Sequence, residues 1–220
     1  MKLYVYDHCP YCVKARMIFG FKDLDFKLIT LLNDDEDTPI AMIGQKMVPI
    51  FEKEDGSFMP ESMDIVRYVD DHYGNKLLVG DERNAKLEKW FEDINEYMYK
   101  LTMPAWVEAE AGEYLEEFAT ESAKQYFIKR KQIYIGDFPE QRARAEEYKL
   151  EVNQLFKELN EIIENDGAVN GTLSEADIHL FAILRSLSII KGLEYPEKLN
   201  SYRMYMSDYS GVLLHDAIAV

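Results

Sequence analysis

Cys9 and Cys12, separated only by Pro10 and Tyr11, are the residues of this chain with the most direct access to chemistry. On a helix, residues three apart share a face, at a Cα separation of about 5–6 Å that a disulfide can span. The flanking pattern supplies that helix. Lys2–Tyr6 is a short β-favouring run, and Val13, Met17 and Ile18 recur at helical spacing. Cys9 therefore falls at a strand-to-helix turn, where unpaired backbone N–H groups and the helix dipole favour an anion. Pro10 suits the first turn because its missing N–H costs no helical bond. The anion is the Cys9 thiolate, and the two sulfurs form a reversible thiol–disulfide couple. Two plainer fates compete: burial of both cysteines as small hydrophobes, or a zinc site. Structural zinc usually takes four Cys or His ligands. His8 is adjacent, but His72, His179 and His215 stand singly, so no metal is expected.

A lowered pKa matters more for departure than for attack. A fall from about 8.5 to about 5.5 would raise the thiolate fraction at pH 7 about thirtyfold. The accompanying loss of basicity returns roughly twentyfold, at a Brønsted slope of about 0.4–0.5. A low-pKa sulfur is, however, a good leaving group, so a mixed disulfide on Cys9 is cleared readily by an incoming thiol. The motif reads as a catalyst that cycles through a mixed disulfide.

The elements that must hold this turn can be read from periodicity. Strand Leu3–Tyr6, helix Tyr11–Phe19 and strand Phe26–Leu31 come first, then an acidic loop at Asp34–Asp37 and a short helix from Thr38-Pro39 to about Gln45. Val48–Lys53 and Gly56–Met59 form a hairpin around Glu54-Asp55-Gly56, and Ser62–His72 is an amphipathic helix. This βαβ-ββα order makes residues 1–73 a small α/β domain. Residues 74–84, with two glycines and mixed charge, read as a linker. Residues 85–220 are almost purely helical in pattern, with five helices expected: Ala85–Glu110, Glu121–Ile135, Pro139–Asn165, Glu175–Lys191 and Glu197–Asp208. The aromatics along them, including Trp90, Trp106, Tyr97, Tyr99, Tyr114, Phe118, Tyr126, Phe127 and Tyr134, are assigned to helix packing. Ser174-Glu175-Ala176-Asp177 has the form of a capping box.

Composition narrows the partners. Hydrophobic residues make up 47% and charged residues 30%, which excludes a disordered or collagenous chain. The 25 Lys and Arg against 41 Asp and Glu leave a net charge of −16, which repels nucleic acid and anionic membranes. The densest apolar stretch, Ile178–Ile190, is interrupted by His179, Arg185 and two serines, so no membrane span is expected. Met1 and Lys2 lead into only four apolar or aromatic residues before Asp7-His8, too few for a secretory signal, and the chain reads as cytoplasmic.

The opening Lys-Leu-Tyr-Val-Tyr-Asp-His-Cys-Pro-Tyr-Cys, with Val48-Pro49, Pro60-Glu61-Ser62-Met63-Asp64-Ile65 and the helical second half, resembles the large bacterial glutaredoxins of the glutaredoxin 2 family. The resemblance spans essentially the whole chain. It implies a thioredoxin-like α/β N-terminal domain joined to an all-α, glutathione-transferase-like C-terminal domain, and a glutathione-dependent thiol–disulfide oxidoreductase. By the resemblance, Cys9 is the nucleophile that accepts glutathione and Cys12 the resolving thiol. Val48 would pair its backbone with the cysteinyl part of glutathione, Pro49 would be a cis-proline, and Tyr11 would flank the tripeptide. Glu61 and Ser62 would hold the γ-glutamyl end, consistent with a helix N-terminus that receives a carboxylate. Met47 stands where the family often has threonine, so no hydroxyl precedes Val48. Glutathione would be the co-substrate, glutathionylated or disulfide-bonded proteins the partners, and the chain a monomer. A glutathione transferase that conjugates electrophiles is the rival enzyme class. A non-catalytic glutathione-binding or membrane-inserting protein is the third reading.

Overall fold

In a computed structural model, residues 1–81, 83–109 and 114–220 are described. The N-terminal α/β domain holds β1 (Lys2–Val5), α1 (Pro10–Phe21), β2 (Lys27–Thr30), α2 (Asp37–Ile43), β3 (Ile50–Glu52), β4 (Phe58–Met59) and α3 (Ser62–His72). The sheet order is β2-β1-β3-β4. β1 runs parallel to β2, as the crossover through α1 demands, and antiparallel to β3, which pairs antiparallel with β4. Leu3, Val5, Ile50 and Phe51 are fully buried, and α1 packs against α3.

The helical domain holds α4 (Ala85–Glu108), α5 (Glu121–Ile135), α6 (Phe138–Ala143), α7 (Ala145–Ile162), α8 (Glu175–Leu187) and α9 (Glu197–Ser210), with short 3-10 turns at Glu116–Phe118 and Asp216–Ile218. Thus six α-helices stand among the described residues where five were expected. The helix expected over Pro139–Asn165 breaks at Arg144, whose φ of −103° and ψ of 5° tighten the chain into an i to i−3 bond on Gln141. The expected end of α4 at Glu110 lies outside the described residues. α8 stops at Leu187 because the Ser188 hydroxyl donates to the Arg185 carbonyl, a local bond that competes with the helix. Asn84 caps α4 through Lys86 and Leu87 N–H groups, and the Ser174–Asp177 capping box opens α8. Asp177 also accepts from Val169 N–H and the Tyr202 hydroxyl, so the buried cap ties α9 to α8.

One continuous apolar core runs through both domains, because α1 is covered by α3 on one side and by α8 and α9 on another. Trp90, Trp106, Phe118 and Phe127 are core residues as expected, but Tyr114 and Tyr134 are exposed and leave the packing assignment. Gly20 sets the closest approach between α1 and α9: a Cβ there would stand 1.7 Å from the Ser210 carbonyl oxygen. Backbone cannot yield as a side-chain tip does. Gly20→Ala is expected to destabilise the fold by about 3 kcal/mol or more, read as a lowered urea midpoint, whereas Gly56→Ala meets no atom within 4 Å and carries only the strain of its positive φ.

Candidate active site

The sheet register brings the sequence-derived residues to one end of the α/β domain. Tyr4 pairs with Ile50 and Phe51 with Met59, so the exit of β1 toward Cys9, the Val48-Pro49 entry to β3 and the Pro60-Glu61 exit of β4 lie side by side. Cys9 is the N-cap residue of α1, with extended backbone, and Pro10 is the first residue of the helix. Cys9 is partly exposed; Cys12, one turn on, is fully buried, and both are free thiols.

The two sulfurs differ sharply in acidity. Cys9 is pushed down to about 6, first by the hydrogen bond donated by the Cys12 thiol, against the opposing effect of burial, with further help from the charge of His8 and the Cys12 and Tyr11 backbone N–H groups. Cys12 is pushed well up, by burial and by giving its proton to that bond. The turn alone, as read from sequence, omitted the largest contribution. Tyr6 N–H donates to the Cys12 sulfur at 3.4 Å and holds it beneath Cys9. At neutral pH one sulfur is an anion and its partner a donor.

The Val48–Pro49 peptide is cis. Val48 lies before β3, and its N–H and C=O take no backbone partner among the described residues, leaving a short edge open to an added strand. Ser62 is the first residue of α3, and the cap position belongs to Glu61 instead. Glu61 has a φ of 70°, a region that non-glycine residues rarely adopt, and its exposed carboxylate makes no ion pair among the described residues. Tyr11 is 52% exposed, with the Lys14 ammonium 4.9 Å from its ring centroid. It borders a 540 Å³ cleft shared with Tyr99, Met103, Lys131, Tyr134 and Ile135 of the helical domain.

Sequence reasoning missed the interdomain contacts around this turn. Arg185 of α8 donates to both carboxylate oxygens of Asp7, at 3.0 and 2.8 Å, and to its backbone carbonyl at 2.6 Å. Burial opposes the charge, yet Arg185 and Arg16 hold Asp7 well below the usual carboxylate range. Glu117 accepts from His8, and Arg67 of α3 forms a bidentate pair with Glu175 of α8 at 2.8 and 2.7 Å. Partners more than a hundred residues apart leave no periodic signal. Among the described residues, no three His, Cys, Asp or Glu side chains group as a metal site, and no helix is long and apolar enough to cross a membrane.

Fold and sulfur pair together place the molecule among the glutaredoxin-like thiol–disulfide oxidoreductases that share the two-domain build of glutathione transferases. Residues 3–77 match the family model of the glutathione S-transferase N-terminal domain, and residues 86–219 match that of the glutaredoxin 2 C-terminal domain. Glutaredoxin 2 of Escherichia coli strain K12 is 42% identical over 220 residues, all of both chains. The chain therefore belongs to the glutaredoxin 2 family. The crystal structure of glutaredoxin 2 from Salmonella typhimurium, solved in complex with glutathione, is 43% identical, with a TM-score of 0.95 over 100% of this chain and 98% of that one. A glutathione S-transferase of Ceriporiopsis subvermispora, at 15% identity and a TM-score of 0.67 over 97% of each chain, shares the fold.

Two histidines, His215 buried and His179 half-buried, give the platform a signed response to acid. Burial first, and then the charge of Arg185, push His215 down to about 3; burial, Lys14 and Arg83 push His179 down to about 4. Below the ordinary value near 6.5, the unfolded chain takes up protons that the folded chain refuses, so stability falls as pH drops from there toward 4. Each group contributes a slope of up to about 1.4 kcal/mol per pH unit. Urea midpoints between pH 6.5 and 4 are expected to fall steeply, and His215→Asn to flatten the fall.

Proposed function

We propose that Cys9 and Cys12 carry the glutathione-dependent thiol–disulfide exchange of this family, with Cys9 as nucleophile and Cys12 as resolving thiol. The carrying observation is the placement of the pair, Cys9 partly exposed at the N-cap of α1 and Cys12 fully buried one turn on, an arrangement that pushes the first down to about 6 and the second well up. The Cys9 thiolate attacks the glutathionyl sulfur of a mixed disulfide, forms a Cys9–glutathione disulfide and releases the substrate thiolate. A second glutathione thiolate attacks the glutathionyl sulfur, giving oxidised glutathione and returning Cys9 as the leaving thiolate. With a protein disulfide, Cys9 forms the mixed disulfide, Cys12 gives up its proton and attacks Cys9, and a Cys9–Cys12 disulfide leaves the substrate as a dithiol. The raised Cys12 thiol makes this second route the slower one, so the glutathione adduct waits for an incoming thiol.

The glutathione contacts follow the open groups. The free Val48 N–H and C=O would pair with the cysteinyl backbone beside cis-Pro49. The Ser62 hydroxyl and the N–H groups of the first turn of α3 would receive the γ-glutamyl carboxylate, and Glu61 its ammonium. Tyr11 would flank the tripeptide. The reading extends to two units, 1–73 and 85–220, joined by 74–84. It describes a cytoplasmic monomer acting on glutathionylated and disulfide-bonded proteins, supported by the net charge of −16 and by a site that needs no residue from a second copy.

Mass spectrometry after treatment with oxidised glutathione tests the sulfur roles: Cys12→Ser is expected to keep one glutathionyl group on Cys9, and the unaltered chain to expel it as the Cys9–Cys12 disulfide. Cys9→Ser is expected to lose turnover by roughly 10³-fold or more. Cys12→Ser retains a donor for Cys9, so it keeps mixed-disulfide reduction and loses protein-disulfide reduction. Faster conjugation of a chlorinated aromatic than reduction of a small mixed disulfide would contradict the reading. Glu61→Gln removes one charge-assisted contact and is expected to raise KM for the glutathionylated substrate about tenfold with kcat little changed.

A further inference from the structure

Behind Cys9 stands a polar contact that the exchange steps do not use. Glu117, in the 3-10 turn of the helical domain, is 0% exposed. Its Oε1 accepts the His8 backbone N–H at 2.8 Å and the His8 ring at Nδ1 at 2.6 Å. A carboxylate only accepts, so Nδ1 carries the proton of that bond. The other oxygen, Oε2, has no partner among the described residues. Aromatic rings fix the imidazole: Tyr6 and Phe118 stack on it at 5.8 and 4.9 Å, Trp106 leans on it at 4.8 Å and Phe127 meets it edge-on at 5.2 Å. The Glu117 carbonyl in turn accepts from Asn33 N–H at 2.8 Å, which pins the turn to the α/β domain. A carboxylate sealed among aromatics with one oxygen unpaired burdens the fold, and an apolar side chain there would pack at lower cost.

We propose that Glu117 is a positioning residue for the exchange reaction: it fixes the imidazole of His8 in place beside Cys9, so that the helical domain sets the reactivity of a sulfur in the other domain. The proposal rests on Cys9 being the exchanging sulfur. His8 is the charged neighbour that favours the Cys9 thiolate after the Cys12 thiol bond. Among the described residues, other groups that feel Cys9 include Lys14 on α1, Lys131 on α5, Tyr99 on α4 and Tyr6 after β1, and His215 feels His8. All of them persist when Glu117 alone is changed.

The test is the pH profile of Cys9 alkylation by iodoacetamide, assigned by mass spectrometry, for the unaltered chain, Glu117→Gln, His8→Asn and the double variant. Glutamine keeps the size and an acceptor oxygen but removes the charge. Asparagine keeps a donor toward Glu117 without the imidazole. The expected result is a midpoint raised by about one pH unit in each single variant, a roughly fivefold slower alkylation at pH 6, with no further rise in the double variant. Unshifted midpoints overturn the proposal, even with a lowered Tm, because a merely structural contact changes stability and leaves the profile in place. Should Glu117→Gln fail to fold, His8→Asn decides by the same criterion. A shifted midpoint in a chain without redox turnover would sink the exchange reading alone; an unshifted midpoint with normal turnover would sink only the role of Glu117.

Discussion

The bond by which the buried Cys12 thiol favours an anion on the Cys9 sulfur is the interaction on which the reactivity of the site depends. It breaks the symmetry of two chemically identical side chains. Burial alone would raise both thiols, and a helix N-terminus alone would help Cys9 only modestly. With one sulfur sealed at 0% exposure and holding its proton, that proton becomes a fixed donor for the other. In the proposed reaction the same bond would make Cys9 a better leaving group and Cys12 a slower attacker, which would favour exchange with free glutathione over rapid internal closure.

Keeping that bond requires a rigid turn, and the helical domain supplies much of the rigidity. α1 carries Pro10 to Phe21 between α3 on one side and α8 and α9 on the other, and it approaches Ser210 so closely at Gly20 that no side chain fits. Asp7, two residues before Cys9, is clamped by a buried guanidinium from α8. Such a buried pair is weak evidence for stability but strong evidence for a fixed geometry, since losing one partner strands the other charge. The second domain is therefore part of the site's support as well as a wall of the cleft beside Tyr11.

Local features of this molecule were legible in the sequence, and long-range ones were not. The strand, turn and helix around Cys9 announced themselves by alternation, Pro10 and helical spacing, and α3 and α5 have the bounds that their periodicity implies. Residues 139–165 read as one helix because nothing in Arg142-Ala143-Arg144-Ala145 marks the tight turn that divides α6 from α7. The start of α3 at Ser62 was legible, whereas nothing in the sequence marked the positive φ of Glu61 at its cap. Gly20 carried no turn signal, since its need arises from a helix nearly two hundred positions away. His8–Glu117 and Asp7–Arg185 were invisible for the same reason. The matches to glutaredoxin 2 chains reinforce the family reading that the motif suggested, and the physics of the sulfur pair explains why that motif works on this scaffold.

The most direct test of this account is a titration of the reduced chain followed by thiolate absorbance in the ultraviolet. The account predicts that one sulfur, absent from Cys9→Ser, ionises near pH 6, and that the second stays protonated well beyond the ordinary thiol range. Two sulfurs ionising together near pH 9 would contradict it.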